Sequence, residues 1–341
     1  MKRTIATVLL TLVAITLTAS GSIAAVKQKV VVDMFGSQLG SYGYTAMYAA
    51  SEIINKHSPT IKANIYATFG AMDNIKRLDT DKDVRKHAFF MTSVPAMYGA
   101  RAGVPKQMFP NPIIGAMNVF NSIDGTYTLI TTNPNIKTPL DFVGKRVDVG
   151  PYGNFLGTIG DYLLDAYDVR TKVAKLEHNA DQKVMYDNLK EGKIDVSSSG
   201  ILKTGNKMGL AASTKELMAG TTIYPVGYSK EMIRKAAELS KIPFATWEVP
   251  AGEFSPKTPA FVTMYYPLNV VCHQEMPQDL VYEVMKVLIA HADEFKNYSQ
   301  VANFFTKEVM AGMPLPVSDF HPGAVKAYRE MKVKVGEEAF K

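Results

Sequence analysis

Along the first third of the chain, apolar and polar positions alternate between two periods. Short apolar, β-branched runs over 29–34, 61–68 and 87–91 predict buried strands. Between the first two, Met47, Ala50, Ile53 and Ile54 share one helical face that stops before Pro59. A second helix is expected over 72–78, and Ser93 is placed to cap a third that runs to Ala102. Strand and helix in alternation predict right-handed βαβ units on a parallel sheet.

The pattern restarts downstream. Strands are expected over 127–132, 145–149, 172–176 and 194–197, with helices over 158–167 and 180–189. A helix over 229–240 and an extended run over 244–249 follow. The apolar stretch 261–271 then carries the chain back towards its first half. Helices over 278–295, 299–310 and 323–332 close the sequence, and the tail from Gly336 has no apolar pattern and is expected to fray. Strand, glycine-rich loop and helix thus occur twice, about 115 residues apart. The expected architecture is α/β, with two lobes joined by two crossing strands around a cleft. Lobe one takes 25–129 and 256–341, and lobe two takes 130–255.

Composition and charge narrow the reading. Lys2 and Arg3 precede a short apolar run over 5–17, and Ser22-Ile23-Ala24 fits a small-x-small cleavage pattern. That run is too short to span roughly 30 Å of hydrocarbon. Residues 1–24 therefore read as a cleaved signal peptide and the mature chain as periplasmic, its formal charge falling from +6 to about +4 with Lys2 and Arg3 gone. Cys272 is the single cysteine, flanked by Val270 and Val271. It supplies neither a disulfide nor a cysteine zinc site and reads as a small core residue. The basic excess forms no block, so nucleic acid is not an expected partner.

The candidate chemistry lies in the two glycine-rich loops, 36–44 and 150–157. A helix N-terminus presents unpaired N–H groups and about half a positive charge, so it can hold an anion without a charged side chain. Loops at the carboxyl ends of strands in open α/β sheets are where ligands bind. The expected ligand contacts are Gly36, Ser37, Tyr42, Gly43, Tyr44 and Ser93 from lobe one. Lobe two is expected to supply Tyr152, Gly153, Asn154, Phe155 and Ser199. Arg77, Arg101 and Arg146 are candidates for a carboxylate fork. The plainer alternative is that the glycines only make strand-to-helix turns.

Neither loop has the spacing of a dinucleotide or P-loop motif, and no cofactor is expected. The six histidines show no metal-ligand spacing, and His321, ahead of Pro322 and Gly323, reads as a helix cap. No nucleophile elbow occurs, so an enzyme is not expected.

Several segments resemble one family, the TAXI solute-binding proteins of tripartite ATP-independent periplasmic (TRAP) transporters. They are Phe35-Gly36-Ser37 through Ala46, Leu140 through Val147, Leu189 through Val196, Met276 through Tyr282, and Leu315-Pro316 with His321-Pro322-Gly323-Ala324 and Tyr328. The resemblance implies a type II periplasmic-binding-protein fold that captures a small carboxylate. Such a ligand would be a glutamate-like amino acid, a keto acid or a dicarboxylate, passed by a monomer to a membrane permease. Two departures fall at expected ligand contacts. Gly153-Asn154-Phe155-Leu156 stands where the family usually has Gly-Ser-Gly-Thr, and Ser93 is followed by Val94 rather than Asp. An apolar wall in the pocket follows from the first. A binding protein for an ABC importer, or a sensing subunit docked on a membrane receptor, are the alternatives.

Overall fold

The computed structural model describes residues 29–340 apart from 40, 107, 206 and 300–304, so the expected signal peptide lies outside the described residues. Val30–Phe35 (β1) lies between Ile61–Tyr66 (β2) and Ala88–Met91 (β3), and all three run parallel. Their crossovers are Tyr42–His57 (α1) and Ala71–Thr80 (α2), and Val94–Ala102 (α3) follows β3. Ser41 caps α1 by accepting from Tyr44 N, and Ser93 caps α3 by accepting from Ala96 N.

The next strand, Ala116–Tyr127 (β4), is longer than any of these and has no counterpart in the predicted elements. It leads into a second sheet through Leu129–Thr131 (β5). Arg146–Asp148 (β6), Lys175–Glu177 (β7) and Val196–Ser198 (β8) belong to that sheet, with β6 parallel to both β7 and β8. Leu156–Ala166 (α4) follows β6 and Gln182–Lys190 (α5) follows β7. The hairpin Ile201–Thr204 (β9) and Lys207–Leu210 (β10) then returns to the first sheet, where β9 pairs with Asp124 and Gly125 of β4. Ala212–Gly220 (α6) leads to Tyr224–Pro225 (β11) on the edge of the second sheet.

After Lys230–Ser240 (α7), Ala245–Val249 (β12) pairs with the first residues of Phe261–His273 (β13). β13 lies antiparallel between β4 and β3. The long β4–β13 ladder therefore runs out of the three-stranded parallel sheet towards the second lobe. Its register slips twice, leaving Val119 and Ser122 of β4 without a counterpart on β13. Such bulges bend and twist a strand.

Gln278–Ala290 (α8), Lys307–Ala311 (α9) and Pro322–Glu330 (α10) complete lobe one. Two endings differ from the sequence expectation. The helix from 278 stops at His291, and a 3-10 turn, Ala292–Asn297, replaces its continuation. The tail is not frayed: Gly336–Phe340 forms a 3-10 turn whose Glu337 N donates to Leu315 O, and Val335 is fully buried.

One apolar core continues through the crossing. It joins Met34, Phe89 and Val270 of the first sheet to Val147, Phe155 and Leu163 of the second lobe. Cys272 is buried in it, and burial pushes its thiol pKa up. No helix among the described residues is long and apolar enough to cross a membrane.

Candidate functional site

Loop one starts at the carboxyl end of β1, where Gly36 N donates to Tyr66 O. The buried Asn74 side chain, from α2, donates to both Gly36 O and Met91 O and so ties the ends of β1 and β3. Asn74 Oδ1 is left without a hydrogen-bond partner. Gly36 and Gly43 are needed for close approach: a Cβ on Gly36 would sit 2.9 Å from Tyr44 Cα, and one on Gly43 3.1 Å from side-chain atoms of Met91 and Ser37. Ser37 lies against Gly70 and donates to Gln38 Oε1. The Tyr44 ring stacks along α1 on Tyr48.

Loop two repeats the arrangement. Asp148, fully buried at the end of β6, accepts from Gly150 N and from both the backbone and side-chain nitrogens of Asn179. Gly150 turns at φ 87°, with Ser198 Oγ only 2.6 Å from where a Cβ would stand. Phe155 occupies the N-cap position of α4 in the left-handed region, at φ 72°. It brings no side-chain acceptor there, although Asn154 Oδ1 accepts from Leu156 N. In the first turn of α4 the buried Thr158 Oγ1 has no partner at all. The Tyr152 ring stacks on His178 at 4.2 Å, and both donate to Asp161, which Arg170 also grips at 2.9 Å. Burial raises the Tyr152 phenol to about 12, with the hydrogen bond to Asp161 adding to it.

Both loops attach to β4. The Tyr42 hydroxyl of α1 donates to Ser122 O at the bulge, and the Tyr127 hydroxyl donates to Val149 O at the base of loop two. These anchor points are five residues apart, about 17 Å of strand. The lobes also touch directly. The buried Phe155 ring reaches α3, where its Cζ lies 2.3 Å from the position a Cβ on Gly99 would take.

Several expected contacts have other partners. Ser199 Oγ donates to Thr128 O, Tyr42 to the bulge, and Ser93 serves as a cap. Arg146 makes a bidentate pair with Asp195 at the opposite end of β6 from loop two. Arg101 is paired with Asp319 at 3.0 Å, and Arg77, in the last turn of α2, faces the Phe35 ring. Gly153 and Asn154 are exposed. Asn74, Thr158, Asp161 and His178 were not singled out by sequence. Only the position of Thr158 just after a glycine-rich loop could have signalled any of them.

Two hollows lie elsewhere. One, of about 280 Å³, sits beside β4 between Asp124, Lys203 and α9. Lys203 pairs there with Asp124 at 3.3 Å and lies over the Tyr265 ring, while burial raises the Asp124 carboxyl. The other, of about 1310 Å³, is an apolar groove along β11 and residues 255–262. None of the eleven expected ligand contacts lines either one.

No curated protein matches the chain in sequence. Among solved structures it is similar to the periplasmic binding protein BugD, with 12% identity, a TM-score of 0.50, and 89% of this chain and 94% of that one covered. MatC from Rhodopseudomonas palustris with bound malate gives 11% identity, a TM-score of 0.49, and coverage of 89% and 97%. The aliphatic sulphonate binding protein SsuA from Escherichia coli gives 9%, 0.44, and coverage of 88% and 82%. The likeness to BugD goes with the two sheets and long connecting strands described above, which are the two-lobed architecture of periplasmic binding proteins. The sequence profile of the NMT1-like family matches residues 36–331, and the chain belongs to that family.

Proposed function

We propose that this protein is an extracytoplasmic solute-binding protein, not an enzyme, that captures a small carboxylate between its lobes and hands it to a membrane permease of the TRAP type. The lobes of this reading are 25–129 with 256–341, and 130–255. Loops one and two form the facing walls. The observation that carries the proposal is at the start of α4, where the buried Thr158 hydroxyl has no protein partner, while Leu156 N and Gly157 N are already taken by Asn154 Oδ1 and Pro151 O. Leaving a buried hydroxyl unpaired costs about 1–3 kcal/mol, so its retention favours a polar ligand that supplies the missing bond. The helix N-terminus favours that ligand being an anion.

A thermal-shift screen of the purified protein against amino acids, keto acids, dicarboxylates and aromatic acids tests this. A ligand at about 100 times its Kd adds roughly 2.7 kcal/mol of stability, a readable rise in Tm. Thr158→Val keeps the shape and removes the unpaired hydroxyl. It should leave the ligand-free Tm unchanged or higher while weakening the shift. A flat response to every acid would sink the carboxylate reading.

A further inference from the structure

We propose that His57, His291 and Glu294 form a binding site for a divalent transition-metal ion of the zinc class on the flank of lobe one. His57 is the last residue of α1, and His291 is the C-cap of α8. Glu294 lies in the 3-10 turn that replaces the continuation of α8. The two histidines are 234 positions apart, so no spacing rule could pair them; the packing of α1 against α8 does.

Both imidazoles address the same carboxylate oxygen. His57 Nε2 lies 2.7 Å and His291 Nδ1 3.3 Å from Glu294 Oε1, and the three ligand atoms lie within 4.8 Å of one another. A tetrahedral zinc ion with bonds of about 2.0–2.1 Å holds its donors about 3.3 Å apart, so modest side-chain shifts suffice. The rings are stacked, with centroids 3.5 Å apart and planes 10° apart. One shared metal ion satisfies all three groups once the half-buried His291 ring turns about its Cβ–Cγ bond.

The electrostatic setting favours a cation. Two helix C-termini, each carrying a partial negative charge, end at this point. Against this, the Lys56 ammonium holds the other carboxylate oxygen, Oε2, at 2.9 Å and opposes a second cation, leaving Oε1 as the one oxygen that Glu294 offers the metal. Two imidazoles and one carboxylate suit zinc and its late first-row neighbours rather than calcium or magnesium, and leave a fourth position for water. The site stands at the far end of α1 from loop one, about 22 Å along the helix axis. It would pin α1 to α8 without touching the ligand loops.

The test is calorimetric titration of chelator-treated protein with zinc chloride at pH 7.5. One zinc per chain is expected. His57→Ala and His291→Ala should each weaken it by more than about 100-fold, while His87→Ala leaves it unchanged. Zinc binding displaces protons from its ligands, so affinity should be lower at pH 5.5 than at pH 7.5. Lys56→Ala removes the competing ammonium and should tighten binding. A plain ion-pair cluster instead predicts no zinc uptake by the wild type or by Lys56→Ala, and that result overturns the proposal. So does uptake that survives both histidine substitutions. Far-UV circular dichroism and the zinc-free melting curve verify that each variant is folded, and His291→Gln stands in should His291→Ala fail that check.

Discussion

His321 is held as a neutral imidazole by two backbone partners. Its Nδ1 accepts from Gly323 N and caps α10, while its Nε2 faces Met276 O, which can only accept. Burial pushes its pKa below the ordinary histidine value, with the Met276 hydrogen bond opposing. His273 shifts in the same direction, by burial first and then by the Arg85 charge. For such groups the unfolded state takes up protons first, so stability is complete above about pH 6.5 and falls as the pH drops towards the lowered folded values. The urea midpoint should therefore decline from pH 7.5 to 5.5. In His321→Asn, which keeps a capping oxygen, the decline should be shallower, and an unchanged slope would assign it to His273. The capping role was legible because His-Pro-Gly at a helix start has a simple backbone explanation. The loop hydroxyls were harder, since a serine or tyrosine near a helix N-terminus looks the same whether it serves a ligand or the chain. Ser93, Ser199 and Tyr42 turn out to hold backbone groups.

At the scale of elements, sequence reading located the parallel strands β1, β2 and β3 and the helices between them, because period and length agree there. It missed β4, for a physical reason. Ala116–Tyr127 contains Asn118, Asn121, Ser122, Asp124 and Gly125, a composition typical of loops. It is nevertheless a central strand, because most of its polar groups are met by neighbours: Asn118 by Asn269, Ser122 by Leu268 O and Tyr42, and Asp124 by Lys203, while Asn121 Oδ1 is left without a partner. Only tertiary partners make that strand possible. The packing of α4 on β4 and β6 is equally specific. A Cβ at Gly160 would lie 2.2 Å from the Tyr127 hydroxyl and 2.4 Å from Val149 Cβ. Helix propensity alone would make Gly160→Ala stabilising by about 1 kcal/mol. The expected result is the reverse, a loss of about 1–3 kcal/mol in urea unfolding as α4 is pushed off the sheet. Tyr127→Phe in the same chain should recover only part of it, because the Val149 contact remains.

For the whole molecule, the decisive contact is the Phe155 ring against Gly99. Phe155 sits at φ 72°, a backbone region that costs a non-glycine residue about 1–2 kcal/mol. Burial of its ring outweighs that cost, and the ring can be seated only because α3 has no side chain at position 99. A Cβ there would stand 2.3 Å from Phe155 Cζ and 2.8 Å from Val104 O. The pair thus joins loop two to lobe one and favours the state in which the lobes meet. Phe155→Ala should lose about 3–5 kcal/mol of stability. It should also enlarge the radius of gyration measured by small-angle X-ray scattering, as the lobes separate. Gly99→Ala should expand the molecule in the same way while leaving the Phe155 side chain intact. In the double variant the two losses should be less than additive, because the clash with the ring is already gone and only that with Val104 O persists. Strict additivity would mean that the ring and the glycine act independently. A double variant as compact as the wild type would mean that other contacts hold the lobes together. Ligand binding should reverse the expansion of Phe155→Ala if the cleft closes on its solute, since a ligand shifts the equilibrium towards the state it binds more tightly.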